Sequence, residues 1–286
     1  MPDAGVVLVD KPAGISSFAA ISRLRPVYGR KLGHTGTLDP FATGLLVVLH
    51  GRATRLADLL SGADKRYRAT ARFGATSTTD DPEGEIEETG ATTDAATIAA
   101  ALPAFTGAIQ QVPPAASAVH IDGERAYRRF RRGEAVTVPA RRVIVHALEL
   151  MHFDDRTQTA ELDIRCGSGT YVRSIARDLG EALGCGAHLT ALRRTEVGRF
   201  DVDAAATPDA IAAAPAGTLA WLPPLAAIGD LPVARLDAAA AADVRHGRTV
   251  DGAGEGRVAL IHEDRLIAVG DAAGGRIAPR TVLEPA

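Results

Sequence analysis

Apolar residues in this chain fall in short runs separated by turn signals. Gly5-Val6-Val7-Leu8-Val9 predicts a first strand. Gly44-Leu45-Leu46-Val47-Val48-Leu49 is apolar without interruption and predicts a strand buried on both faces. Tyr67 to Phe73 instead alternates apolar and polar residues, as a half-buried strand does. Arg142–Phe153 and Thr159–Cys166 predict a hairpin that turns at Asp154-Asp155-Arg156. Helices are predicted over Asp94–Ala101 and Val172–Leu183. In the second, Ile175, Leu179 and Leu183 recur at four-residue spacing and Gly184 supplies a stop. Strands and helices mix without a regular βαβ alternation, so the fold class is α+β. After Arg199 the chain turns Ala- and Pro-rich, and Leu222-Pro223-Pro224 reads as a connector. Beyond it, Arg257–Ile261 and Leu266–Val269 flank His262-Glu263-Asp264-Arg265, a hairpin turn. The division predicted is a main domain over residues 1–225 and a small β-rich domain over 228–286.

Composition narrows the class. In 286 residues, 46% hydrophobic content is ample for a core, and no apolar run approaches membrane-spanning length. No N-terminal segment has the basic start and apolar stretch of a signal peptide. Cys166 and Cys185 stand alone without CxxC spacing, which indicates neither a zinc site nor a disulfide framework. A cytoplasmic protein is expected. Overall charge is slightly acidic, with 35 Asp and Glu against 32 Lys and Arg, but it is unevenly spread. From Arg23 to Arg72, ten basic residues face only Asp39, Asp58 and Asp64. From Ile121 to Arg142, seven arginines face Asp122, Glu124 and Glu134. Two such patches can build a local positive field on a neutral protein. Asp80, Asp81, Glu83, Glu85, Glu87 and Glu88 form a compensating acidic run, expected to be a solvated surface loop.

Chemistry concentrates in Gly33 to Ala42, which read GHTGTLDPFA. Gly33 and Gly36 permit backbone angles closed to other residues. Pro40 biases Asp39 towards an extended conformation. The segment predicts a rigid loop that holds the Asp39 carboxylate at its tip. Such a group is either a nucleophile or general base, or simply the cap of a turn. His34 has no companion at ligand spacing except Asp39, far short of the three or four ligands a metal site needs. Cys166-Gly167-Ser168-Gly169-Thr170 lacks the lysine and spacing of a phosphate loop.

GHTGTLDPFATG resembles the catalytic motif of the TruB family of tRNA pseudouridine synthases, and four further segments agree in order. Asp10-Lys11-Pro12-Ala13-Gly14 is similar to the family's DKPxG opening, with Ser16 where a threonine is more usual. Asp64 to Ala69 resembles its tyrosine motif, Gly169-Thr170-Tyr171-Val172-Arg173-Ser174 its GTYxR motif, and Gly184 to Arg194 its GxGAxLxxLRR stretch. The resemblance covers about the first 200 residues. It implies the pseudouridine synthase fold, a mixed, mainly antiparallel sheet flanked by helices, with a PUA-like C-terminal domain. It also implies isomerisation of the T-loop uridine (position 55) of tRNA, without a cofactor, by a monomer. Asp39 would start the reaction by attacking C1′, attacking C6 or removing the C2′ proton. Arg173 would be its cationic partner, and Tyr67 would stack on the uracil and help take the C5 proton. Tyr171 would form another wall, Leu192 would pack against the base, and His34 would fill the gap left by the flipped nucleotide or contact its phosphate. Lys11 would order the loop or meet a phosphate. Residues 113–142 resemble a segment that closes over the T arm, with Arg128 and Arg132 on the backbone. Two other readings follow from the same residues. One is a non-catalytic RNA-binding or RNA-folding protein. The other is a related synthase for another RNA, although a first motif as early as Asp10 points to a stand-alone enzyme.

Overall fold

The computed structural model describes residues 3–121, 123–215 and 221–285; Asp122, part of the second charge balance above, lies outside them. Among the described residues the chain builds two sheets of size. The larger has nine strands. Its first four in sequence are β1 (Ala4–Lys11), β2 (Leu32–His34), β3 (Thr43–Gly51) and β4 (Lys65–Phe73). Across the sheet the order is β1, β3, Ala187–Val197, β4, Thr159–Cys166, Arg141–Asp154 and Gly107–Gln111, with β2 and Phe200–Asp201 on side branches. Every pairing is antiparallel except one: Arg193 and Arg194 lie parallel to Thr43 and Gly44. The mixed, mainly antiparallel sheet expected from the sequence is present.

Burial explains the two apolar patterns. In β1 and β3, alternate residues enter different cores. Val6, Leu45, Val47 and Leu49 join one, while Val7, Val9, Leu46 and Val48 join another beneath α1 (Ser17–Tyr28). A strand covered on both faces reads as a continuous apolar run. In β4, Tyr67, Ala69, Ala71 and Phe73 face the largest core, with the helix Val172–Ala182, and Arg66 and Arg68 stay exposed. The same core takes Ile175 and Leu179 from that helix, as their spacing predicts. The helix α1 was not signalled by a strong apolar stripe. It starts at a Ser16 cap, whose hydroxyl accepts from the Ala19 amide at 3.1 Å, and it carries Pro26 near its end.

The second sheet, five strands within residues 233–282, is the β-rich C-terminal unit. Glu263 and Asp264 make its hairpin turn, both with positive φ. Leu222 does more than connect. Its amide and carbonyl each bond Val6 of β1 at 2.8 Å. Ala259, Ile261, Leu266 and Val269 share one core with β1 and β3, so the two units pack on a continuous apolar surface.

Candidate active site

The loop between β2 and β3 presents Asp39, and its neighbours are pinned from the opening motif. The Ser17 hydroxyl donates to the Leu38 carbonyl at 2.9 Å and accepts from the Leu38 amide at 2.8 Å. Lys11 is fully buried, and its Nζ donates to the carbonyls of Pro12, Ile15 and Pro40 at 2.9, 2.8 and 3.2 Å. The Gly14 amide reaches the same Pro40 oxygen at 2.9 Å. The residues on either side of Asp39 are therefore held, and Asp39 takes its direction from them. The three donors of Lys11 are used on carbonyls of the loop and its flank, and its side chain has no exposed surface. Burial lowers its pKa to about 8. Gly36 has φ 142, a backbone that favours glycine. Gly33 sits in β2 without positive φ, so the freedom expected of it is not used.

Arg173 stands on the first turn of the helix Val172–Ala182 and is buried. Its Nε lies 3.0 Å from one Asp39 oxygen, and one terminal nitrogen donates to the other at 3.2 Å. That nitrogen also donates to the Ala116 carbonyl at 3.1 Å. The remaining terminal nitrogen donates to Asp81 at 2.9 Å and to the Thr79 carbonyl at 2.9 Å. This planar fork holds two carboxylates at once, which a lysine could not do. Burial raises the pKa of Asp39 above the usual carboxylate range; Arg173 opposes the rise, and the Asp81 charge adds to it.

Asp81 corrects the reading of the acidic run. Asp80 and Asp81 are buried, not solvated. Asp81 accepts from the Thr79 hydroxyl at 2.5 Å and the Glu83 amide at 3.0 Å, and Asp80 pairs with Arg177 at 2.9 Å. Two carboxylates enter the interior because two helix arginines meet them there. Glu85, Glu87 and Glu88 are exposed as expected.

Two cavities meet at the Asp39–Arg173 pair. The first, about 330 Å³, is lined also by Tyr67, Tyr171, Leu192 and Arg194. The second, about 560 Å³, is lined also by His34, Thr37, Asp81 and Tyr127. Tyr67 is buried in β4, and burial raises its hydroxyl pKa against the opposing charge of Arg194. Arg194, buried in the parallel joint, donates to the carbonyls of Leu45 at 2.7 Å and Gly36 at 3.0 Å. It thereby ties the Asp39 loop to the sheet. Tyr171 is fixed by Gln111, a fully buried amide. Gln111 accepts from the Tyr171 amide at 2.8 Å and donates to its carbonyl at 3.0 Å. The Arg141 guanidinium lies 4.9 Å from the centre of the Tyr171 ring. Burial lowers the pKa of His34, which favours a neutral ring. Burial pushes the Cys166 thiol up to about 11, so it stays protonated. Among the described residues no group of three or more His, Cys, Asp or Glu is placed to hold a metal ion.

The structure thus brings Asp39, Tyr67, Arg173, Tyr171, Leu192 and His34 around the two cavities, with Lys11 beneath the loop. Arg128 and Arg132 lie elsewhere. Arg132 is engaged by Glu124 at 2.7 Å and Glu134 at 2.7 Å, and Arg128 donates to the Tyr127 hydroxyl at 3.4 Å. Arg125 and Arg131 line the second cavity instead. Sequence reasoning missed Asp81, Arg194 and Gln111. Arg194 lay inside a quoted motif; Asp81 was hidden in a run of like charges; Gln111 carried no local signal.

Comparison with known proteins places the chain in a family. Residues 25–172 match the model of the TruB family pseudouridylate synthase N-terminal domain. Residues 173–217 match the tRNA pseudouridylate synthase B C-terminal domain, and 232–283 the C-terminal domain of pseudouridine synthase II TruB. The chain is 45% identical to a tRNA pseudouridine synthase B of Thermobifida fusca, with 98% of each chain covered. It is 43% identical to one from Thiobacillus denitrificans, covering 98% of this chain and 95% of the relative. Its fold is similar to Cbf5-containing structures. A Cbf5–Nop10–Gar1 complex matches with TM-score 0.77 and 25% identity over 98% of this chain and 85% of the other. An archaeal box H/ACA Nop10–Cbf5 complex gives 0.75 and 26% over 98% and 86%.

Proposed function

The chain belongs to the TruB family of pseudouridylate synthases, and from that premise we propose that it isomerises the T-loop uridine of tRNA through Asp39. It is a tRNA pseudouridine synthase, an isomerase. In the reaction the bond from ribose C1′ to uracil N1 breaks, the base turns, and C5 bonds to C1′. The C5 proton leaves and N1 gains one. Atoms balance without oxidant, reductant or donated group.

The observation that carries the assignment is the Asp39–Arg173 pair at the wall shared by two cavities. A uridine turned out of its stack enters the first cavity. Tyr67 and Leu192 pack on the base and Tyr171 closes the side. Arg173 opposes the rise that burial gives the Asp39 pKa and aims the carboxylate, so that its oxygen meets the sugar or the base at attack distance. The Tyr67 hydroxyl, kept protonated by burial, is placed to help remove the C5 proton by relaying it, giving up its own proton as it accepts that one. His34, neutral and at the second cavity, fills the space the nucleotide leaves. Arg125 and Arg131 meet backbone phosphates. Every residue this reading uses comes from one chain, which supports a monomer, and a tRNA substrate supports a cytoplasmic enzyme.

The experiment is release of tritium from tRNA transcribed with C5-tritiated uridine. The protein should release one tritium per tRNA, and none when the T-loop uridine is replaced by cytidine. Asp39→Asn should release none while binding the same tRNA within a few-fold. Release at the parent rate by that variant would remove Asp39 from the mechanism.

A further inference from the structure

The helix α1 carries a feature that the reaction leaves unexplained. Phe18 is 65% exposed, the most exposed large apolar side chain among those described. A single exposed apolar residue is ordinary, but this one is built into its surroundings. Its neighbour Ser17 is bonded to Leu38, so the Phe18 backbone stands one residue from the clamp on the Asp39 loop. The Arg25 guanidinium covers one face of its ring, 5.1 Å from the centre. Phe18 also lines the 560 Å³ cavity that Asp39 and Arg173 share. Beyond it along α1, Ser22, Arg25, Pro26 and Arg30 line a further hollow.

Charge points the same way. Arg23, on the same helix, is neutralised by Asp209 at 2.9 Å. Arg25 and Arg30 pair with no carboxylate among the described residues. A planar ring backed by a guanidinium, with unspent positive charge beside it, suits a nucleobase and its phosphate. Stacking of this kind tolerates any base, because every base has a π face.

We propose that Phe18, backed by Arg25, is a stacking platform for an unpaired nucleobase that adjoins the target uridine in the bound RNA. The inference rests on the function proposed above and extends it to a neighbouring nucleotide. The ring acts on binding and not on bond breaking, so its loss should appear in KM and leave kcat alone.

The test uses the full chain and a hairpin RNA with the target uridine in its loop. Every other loop nucleotide is replaced, one at a time, by an abasic residue. Phe18→Ala should raise KM about tenfold, within the range for one stacked base, with kcat unchanged within about twofold. Phe18→Trp should restore KM and Phe18→Leu should not. One abasic position should weaken the parent protein equally and should add nothing to Phe18→Ala. An unchanged KM in Phe18→Ala, or losses that add at every abasic position, would overturn the platform. The same cycle, read as hairpin affinity in an Asp39→Asn background, separates the two ideas. A parent protein that makes no product defeats the proposed reaction, whereas affinity that ignores Phe18 defeats the platform alone.

Discussion

Arg173 meets both carboxylate oxygens of Asp39, one from Nε at 3.0 Å and one from a terminal nitrogen at 3.2 Å. The other edge of the same guanidinium is anchored on Asp81 and the Thr79 carbonyl. Position, not charge alone, is what such a fork supplies. Arg173→Lys keeps the charge and loses the geometry. Its kcat should fall by about 10²–10³-fold while tRNA affinity changes only a few-fold. Single-turnover rates and filter binding measure the two separately. A rate within tenfold of the parent would mean that charge suffices.

Asp39 sits in a site that disfavours its ionised form, since burial raises its pKa. The sign follows directly. A carboxylate whose folded pKa exceeds its unfolded value lowers stability once pH rises above the unfolded pKa. At neutral pH the charge is therefore a burden on the fold. Asp39→Asn should lose activity and melt at a higher temperature than the parent. Calorimetry of the two proteins at pH 7 decides it; a lower Tm would show that the Arg173 pair outweighs the burial.

The pH dependence of activity carries the same sign. The acid limb of kcat/KM should lie above the range of a free aspartate, because Asp39 must lose a proton that burial helps it keep. The Asp81 charge contributes to that rise. Asp81→Asn should therefore move the acid limb to lower pH, even as kcat falls because Arg173 has lost its anchor. A limb that stays in place would uncouple Asp81 from Asp39.

The arginines of residues 125–132 are not equivalent. Arg132 is engaged by Glu124 and Glu134, whereas Arg125 and Arg131 pair with no carboxylate among the described residues. Arg125→Ala with Arg131→Ala should flatten the salt dependence of tRNA affinity by a slope of about 1.5, close to 0.7–0.9 per phosphate contact. Arg132→Ala should leave the slope unchanged. Equal slopes for both variants would erase the distinction.

Gly44 marks the one parallel joint in the sheet. It has φ 101, and a side chain there would overlap the backbone of Arg194. Gly44→Ala should push apart β3 and the strand Ala187–Val197 and loosen the loop that Arg194 ties down. A loss of about 1–3 kcal/mol lowers Tm by about 2–12 °C, with a larger fall in kcat than in tRNA affinity. Thermal melts beside single-turnover rates test this.

The sequence by itself determined whatever depends on neighbours along the chain. Continuous burial of Leu45 to Leu49, alternation in Tyr67 to Phe73, the helix stripe of Ile175 and Leu179, and the turn around Gly36 and Pro40 are local patterns with local causes. Only the tertiary structure decided how charges are spent. Arg173 reaches Asp39 across 134 positions and Asp81 across 92, and the sheet order makes both meetings. A count of charges cannot tell a solvated aspartate from one drawn inside by a guanidinium, nor a free arginine from one held by glutamates. Their energies depend on distances between chain-remote atoms, and those distances exist only once the strands have paired.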